Sequence, residues 1–306
     1  MKHPFKRAVF ALSSLLRIDR HIDEIKLNQG RTLAVLQREQ RLPELRDYEF
    51  KVFSQWGEDG ILQHLTTHLA LPDRNFIEFG VEDFLESNCR FLLMKDRWRG
   101  FVIDGSADNI ERLRGTYFYW QYPLDSVASF ITRENVESLV SQSGFGPCPG
   151  ILSVDIDGVD WWVLQALEGW RPAIIIVEYN GVFGCSIPVT VPYAADFQRS
   201  ARHRSNLYYG ANLPAFDHLL RPRGYSLVGV NGAGSNAFYV RNELLNDRVP
   251  AVPLDRCYLD SSFREGRDAE GRLSLLAGAA RRSPIAALPL IDVASGASLL
   301  VGDIRA

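Results

Sequence analysis

The spacing of apolar positions changes several times along the chain, and each change predicts an element. Leu15, Ile18, Ile22, Ile25, Gln29, Thr32 and Leu36 follow one another at alternating steps of three and four, a heptad seam with two polar layers. The seam predicts a homo-oligomerising coiled-coil helix within residues 1–48, ended near Pro43. One alternative is an amphipathic helix lying on its own domain. Another is a helix on a membrane surface, which Phe5, Phe10 and the basic Lys2, His3, Lys6 and Arg7 would suit.

From residue 75 onward, short apolar runs alternate with amphipathic stretches. NFIEFG (75–80) and GFVID (100–104) predict strands with a helix between them. Residues 107–114 predict a helix, 116–122 a short strand, and 131–141 a further helix before a Gly/Pro loop at 143–150. A strand at 151–155 leads through IDGVDWWVLQALEG, a loop entering a helix. AIIIVEY (173–179) is apolar enough for the middle of a buried parallel sheet. The runs at 225–230 and 237–241 flank NGAGSN, a reversal that predicts an antiparallel hairpin. The pattern is α/β, a Rossmann-like doubly wound sheet over residues 49–245. Residues 246–306 form a short C-terminal extension that packs on the core or on a partner subunit.

Composition narrows the class. With 306 residues, 46% of them hydrophobic, the chain can bury one large core and carry appendages. A net charge of -3 and a pI near 6.1 argue against a nucleic-acid partner, which would call for a basic excess. Cys89, Cys148, Cys185 and Cys257 are scattered without a CxxC pair, which suits a reducing compartment. The expected location is cytoplasmic, with peripheral contact at the inner face of the membrane as an alternative. The apolar run 8–16 is followed at once by Arg17, Asp19, Arg20 and Asp23 without a small-x-small site, so it is read as retained rather than cleaved.

Ligands of open α/β sheets gather at the carboxyl ends of the strands. Polar groups predicted there are Glu78 and Gly80, Asp104, Asp155 and Asp157, and Glu178 with Asn180. Asp104 is suited to accept from ribose hydroxyls, and Gly80 to let backbone approach a ligand. Positions 82 and 84, where a GxGxG turn would repeat glycine, hold Glu and Phe. Glu82 and Asp83 beside the turn would repel a pyrophosphate and welcome a cation, favouring a sulfonium nucleoside over a dinucleotide. Upstream, Ser54, Gln55, Glu58 and Asp59 read as a helix cap with exposed acids. His64 and His68, lacking the carboxylate of HExxH, read as a solvated helix face.

The motifs SQWGEDGIL (54–62), FIEFGVEDFLESN (76–88), FVIDG (101–105), LSVDIDGVDWWVLQAL (152–167), IIIVEYN (174–180), YYGANL (208–213) and GYSLVGVNGAGSNAFYV (224–240) together resemble the FkbM-type group of class I S-adenosylmethionine-dependent methyltransferases. The resemblance covers about residues 50–241 and implies a seven-stranded sheet whose last strand is antiparallel. It also implies that Glu78 and Gly80 border the methionine part of the cofactor, Asp104 the ribose and Asp125 the adenine. Gln55, Asn88 and Asp155 would lie near the methionine amino and carboxylate groups. It implies O-methylation, with a sugar hydroxyl of a polysaccharide or glycoconjugate as the leading acceptor.

A hydroxyl acceptor needs a base or a Lewis acid. Asp155, Asp157 and His203 are the base candidates, with Asp160 beside them. Asp155, Glu178 and Asn180 offer hard oxygen ligands suited to Mg2+; the alternative is that these groups cap helices and hold cofactor without metal. Tyr193, Tyr208 and Tyr209 are candidates for packing against a sugar ring, whereas Trp161 and Trp162 at a helix start read as core. Two rival functions stand beside methyl transfer. Asp155-Ile156-Asp157 is a DxD triplet, as in metal-dependent glycosyltransferases, and an inactive methyltransferase fold could serve as an assembly protein.

Overall fold

Four of the apolar runs, together with the half-exposed segment LDSVA, become parallel strands of one sheet: β1 (Asn75–Phe79), β2 (Arg99–Asp104), β3 (Leu124–Ala128), β4 (Ile151–Val154) and β5 (Ile174–Glu178). The computed structural model describes residues 3–262 and 266–304, with side chains from residue 18 on. A short strand β6 (Val189–Thr190) lies outside this sheet, and β7 (Tyr225–Val230) and β8 (Asn236–Arg241) complete it. The order is β3-β2-β1-β4-β5-β8-β7, with β8 antiparallel to both of its neighbours. This is a Rossmann-like seven-stranded sheet with its last strand inserted antiparallel. Asn231 makes that insertion by accepting from the amides of Ser235 and Asn236 at 2.9 and 3.0 Å, which closes the hairpin turn.

The strands read as unbroken apolar runs because both sheet faces are covered. Successive residues point to opposite faces. Ile77, Phe79, Ile103, Leu152, Val154, Ile175 and Val177 therefore join one core, and Phe76, Val102, Ile151, Ile174 and Ile176 the other. Helices α2 (Glu58–His68), α3 (Arg90–Asp96) and α4 (Ala107–Arg114) cover the second core with Leu62, Leu92 and Leu113. Residues 116–122 are a helix rather than the expected strand: Thr116 accepts from the Tyr119 amide and starts α5 (Tyr117–Gln121). The strand follows it, at β3. Helices α6 (Val136–Ser141) and α7 (Asp160–Ala166) cover the first core, with Trp161 buried at 5% exposure and its indole N–H on the carbonyl of Ala215.

The long N-terminal helix α1 (His3–Gln37) docks through Asp23, Leu27, Gly30 and Ala34. Gly30 is required there, since a Cβ would run into Val52 and Phe91. The Asp23 carboxylate pairs with Arg90 and accepts from the Tyr117 hydroxyl, while the Arg90 guanidinium lies 4.1 and 4.2 Å from the Phe53 and Phe118 rings. The heptad seam faces away from this docking, with Ile18, Ile22, Ile25 and Leu36 all exposed. Leu15, Phe5, Phe10 and the basic cluster lie outside the described side chains. Among the described residues, no helix is long and apolar enough to cross a membrane.

The C-terminal extension packs on its own core. β9 (Pro289–Asp292) and β10 (Ser298–Leu300) join β6 in a three-stranded antiparallel sheet, and Ile285, Leu290, Val301 and Ile304 enter the main core. All four cysteines are free thiols.

Candidate active site

The sheet changes winding direction between β1 and β4, where crossover connections depart to opposite sides and leave a crevice at the carboxyl ends. A cleft of about 760 Å³ opens there. Glu78 near the end of β1 and Gly80 just after it, Asp104 at the end of β2, Asp155 and Asp157 after β4, and Glu178 at the end of β5 all line it, as do Gln55 and Asn88. These are eight of the residues expected from the sequence.

The β1 loop is held from within. Glu78 accepts from the Asn88 amide at 2.8 Å, the Ser87 hydroxyl at 2.7 Å and the Cys89 amide at 3.2 Å, which seats the start of α3. Burial nevertheless pushes its carboxyl upward. Gly80 has φ of +69°, and a Cβ would strike the carbonyl oxygen of Asp155. Glycine is thus needed for the approach of this loop to the β4 end, at a position that also lines the cleft. Asp104 accepts from the amides of Glu82 and Ser106 at 2.8 Å and from the Asn109 side chain at 3.1 Å. A carboxylate has about four acceptor positions, so Asp104 retains capacity for one more donor at the cleft.

Glu58 and Asp59 are fully buried, not exposed acids. Asp59 collects the amides of Val52, Phe53 and Ser54 at 2.7 to 2.8 Å. Glu58 takes the amides of Trp56 and Gly57 at 3.0 Å and the side chains of Asn231 and Asn236 at 2.7 and 2.9 Å. Together they fold the 53–57 turn so that Gln55 and Trp56 overhang the cleft. Burial raises the Asp59 carboxyl to about 6. His64 is also buried, stacked on Tyr48 at 3.7 Å with Nε2 3.2 Å from the Arg248 carbonyl, because the linker after α1 crosses the helix face expected to be solvated.

At the floor, oxygens of Asp155, Asp157 and Glu178 lie within 4.8 Å of one another. Burial and mutual repulsion drive the carboxyls of Asp155 and Glu178 well above the ordinary range. Glu178 Oε2 is buried with no hydrogen-bond partner. Asp157, at φ +54°, pairs with Arg199 from α8 (Arg199–Arg202), whose guanidinium lies 3.8 Å over the buried Tyr209 ring. The Tyr209 hydroxyl donates to Glu178 Oε1 at 3.4 Å, so this ring backs the carboxylates rather than facing the cleft. Asp160 is buried and caps the 156–158 turn by accepting from the amides of Ile156 and Gly158, which fixes Asp155 and Asp157.

Several expected site residues lie elsewhere. Asn180 is buried, with its amide shared between the carbonyls of Leu207 and Tyr209 and its oxygen on the Val182 amide, so it is committed to structure; Asp157 completes the oxygen cluster instead. Asp125 is exposed near the start of β3, paired across to Phe101, because the strand runs later than expected; Phe130 and Ile131 occupy the cleft end of that segment. His203 is held by the Ser205 hydroxyl at 2.7 Å, outside the cleft. Tyr193 donates to Glu134 under the Arg133 guanidinium, and Tyr208 is buried with its hydroxyl on the Pro289 carbonyl, so neither lines the cleft. Residues not anticipated are Arg199, Trp56, Phe130 and, from the C-terminal extension, Leu273. The last three form an apolar rim, at 39%, 41% and 50% exposure.

No family model and no curated protein matches the chain. Solved structures that do match include the pyocyanin biosynthetic protein PhzM, at 13% identity over 58% of this chain and 53% of that one, TM-score 0.36. A putative caffeoyl-CoA O-methyltransferase from Staphylococcus aureus aligns at 12% identity over 70% of this chain and 99% of that one, TM-score 0.43. The O-methyltransferase TomG from Streptomyces achromogenes aligns at 16% identity over 71% and 89%, TM-score 0.38. The chain spans about half the length of PhzM.

Proposed function

We propose that the protein is an S-adenosylmethionine-dependent O-methyltransferase of the FkbM type, with a sugar hydroxyl as acceptor. The observation that carries this reading is the acidic lining of the cleft at the switch point: Glu82, Glu86, Asp104 and Asp157, with the buried carboxyls of Glu78, Asp155 and Glu178 that burial and crowding hold toward the protonated form, against one guanidinium, Arg199. A low-dielectric cleft of one sign concentrates ligands of the other. A sulfonium nucleoside fits that field, whereas the diphosphate of a nucleotide sugar would add negative charge to it. Asp104 holds the ribose with its remaining acceptor capacity, and Gln55 and Asn88 face the amino-acid end of the donor.

The floor cluster also fits a divalent cation. Asp155, Asp157 and Glu178 supply oxygen donors only, Glu178 Oε2 lacks any other partner, and two of the three carboxyls are raised by crowding that a cation would relieve. A bound Mg2+ would acidify a coordinated acceptor hydroxyl. Methyl transfer is an in-line displacement, so the chain's own task is alignment and proton removal. Asp157, the exposed member of the floor cluster, is our candidate base for the acceptor proton where no cation occupies the cluster. The rim of Trp56, Phe130 and Leu273 gives apolar surface for packing of a sugar face.

The test is transfer of labelled methyl from S-adenosylmethionine to a panel of sugars and glycoconjugates, with and without chelator. Label should appear on a hydroxyl, and both chelation and Glu178→Ala should lower turnover by about 10–100-fold or more while the fold persists. Undiminished transfer in chelator removes the metal; transfer to nitrogen or carbon acceptors alone removes the O-methyl assignment.

A further inference from the structure

The helix α1 carries two opposed faces, and the cleft explains neither. Asp23, Leu27, Gly30 and Ala34 dock it to the domain. On the other side Ile18, Ile22 and Ile25 stand at 49%, 45% and 67% exposure, and Leu36 at 63%. At 100° per residue this seam points about 150° away from the docking face, so a partner could reach it without displacing the domain. Three exposed isoleucines at steps of four and three are the a and d positions of a coiled coil that the chain leaves uncovered.

The flanking charges select the occupant and its direction. With Ile22 and Gln29 at a, and Ile18, Ile25 and Thr32 at d, the e positions are Asp19 and Lys26, and the g positions His21 and Asn28. Neither Asp19 nor Lys26 forms an ion pair with a described residue, whereas Arg20 and His21 are both turned to Glu24. In a parallel pair, g positions meet e positions, placing His21 beside Lys26 of the other copy with no attraction. In an antiparallel pair, e meets e and a meets d. Ile22 then faces Ile25 of the second copy, Ile18 faces Gln29, and Asp19 lies about two residues in axial offset from Lys26 of the second copy, twice by symmetry.

We propose that this face binds a second copy of the chain as an antiparallel coiled coil centred between Asp23 and Glu24, closed by two Asp19–Lys26 ion pairs. The two domains then lie on opposite outer sides of the helix pair and do not compete for space, since each docks over residues 23–34, displaced from the two-fold axis in opposite directions.

The full chain should sediment as a dimer at tens of micromolar concentration. Ile22→Glu with Ile25→Glu should give a monomer with unchanged circular dichroism and melting, because both side chains are exposed on the face turned away from the docking contacts. Asp19→Lys and Lys26→Asp should each raise the dimer dissociation constant several-fold, and the double swap should restore it. Direction is read from a nitroxide at Leu36→Cys, with Cys148 and Cys185 replaced by Ser. The antiparallel pair places the two labels roughly 35–40 Å apart at 1.5 Å rise per residue, against about 10 Å for a parallel pair. A monomeric wild-type chain, a dimer that survives the double glutamate substitution, or a short label distance each overturns the proposal.

Discussion

Glu178 concentrates the electrostatic tension of the cleft. One oxygen has a distant tyrosine hydroxyl, the other nothing, and Asp155 stands beside it. The folded-state carboxyls of Asp155 and Glu178 release their protons well above the unfolded values. Between those values the folded chain holds protons that the unfolded chain has lost, so stability falls as pH rises through the window. Below the ordinary carboxylate range neither state is penalised. Glu178→Gln should therefore raise the melting temperature at pH 8 and leave it unchanged near pH 4, as followed by calorimetric scans. Mg2+ should raise the wild-type midpoint at pH 8 and not at pH 4, and should leave the Gln variant little changed at either pH. Sequence made Asp155 and Glu178 visible, because both end apolar strands. It could not show that Asn180, just beyond β5, turns inward to hold Leu207 and Tyr209, while Asp157 adopts a left-handed backbone that brings it back to the cluster.

At the scale of elements, α1 and the linker behind it are fastened by groups that tolerate little change. Asp23→Ala would leave the Arg90 guanidinium buried between two rings without its counter-charge, a loss of about 3–5 kcal/mol. Urea unfolding should show that loss as a lower midpoint. His64, held near pKa 4 by burial against Tyr48, is neutral in the fold and charges in the unfolded chain below about pH 6.5. Stability is therefore intact above that pH and declines as pH falls toward 4, by about 3 kcal/mol in all. His64→Phe keeps the stack and should flatten the acid limb of the curve. Long buried strands and the helix 107–114 were legible because period and caps agree there. The stretch 116–122 was not: its aromatic run suits a strand, but Thr116 caps a helix, and the half-exposed LDSVA of β3 gives too weak an alternation to compete. Asp125, which the resemblance implied for the adenine, accordingly sits near the start of this strand, and Phe130 beyond its end lines the cleft.

For the molecule as a whole, strand order and charge converge on one place. The crossover arrangement opens the crevice between β1 and β4, and the chain fills its edges with carboxylates. The fold was legible through the order of its strands, and so was most of the floor. Arg199 and the rim residue Leu273 were not, because both arrive from segments without periodic pattern, Leu273 from the C-terminal extension. Calorimetric titration of the full chain with S-adenosylmethionine, beside a nucleotide sugar, tests the central reading most directly. Saturable one-to-one binding of S-adenosylmethionine, weakened at least about tenfold by Asp104→Ala and absent for the nucleotide sugar, is the expected result. Folded protein that gives no binding of S-adenosylmethionine or its demethylated product, or that binds the nucleotide sugar instead, would contradict it.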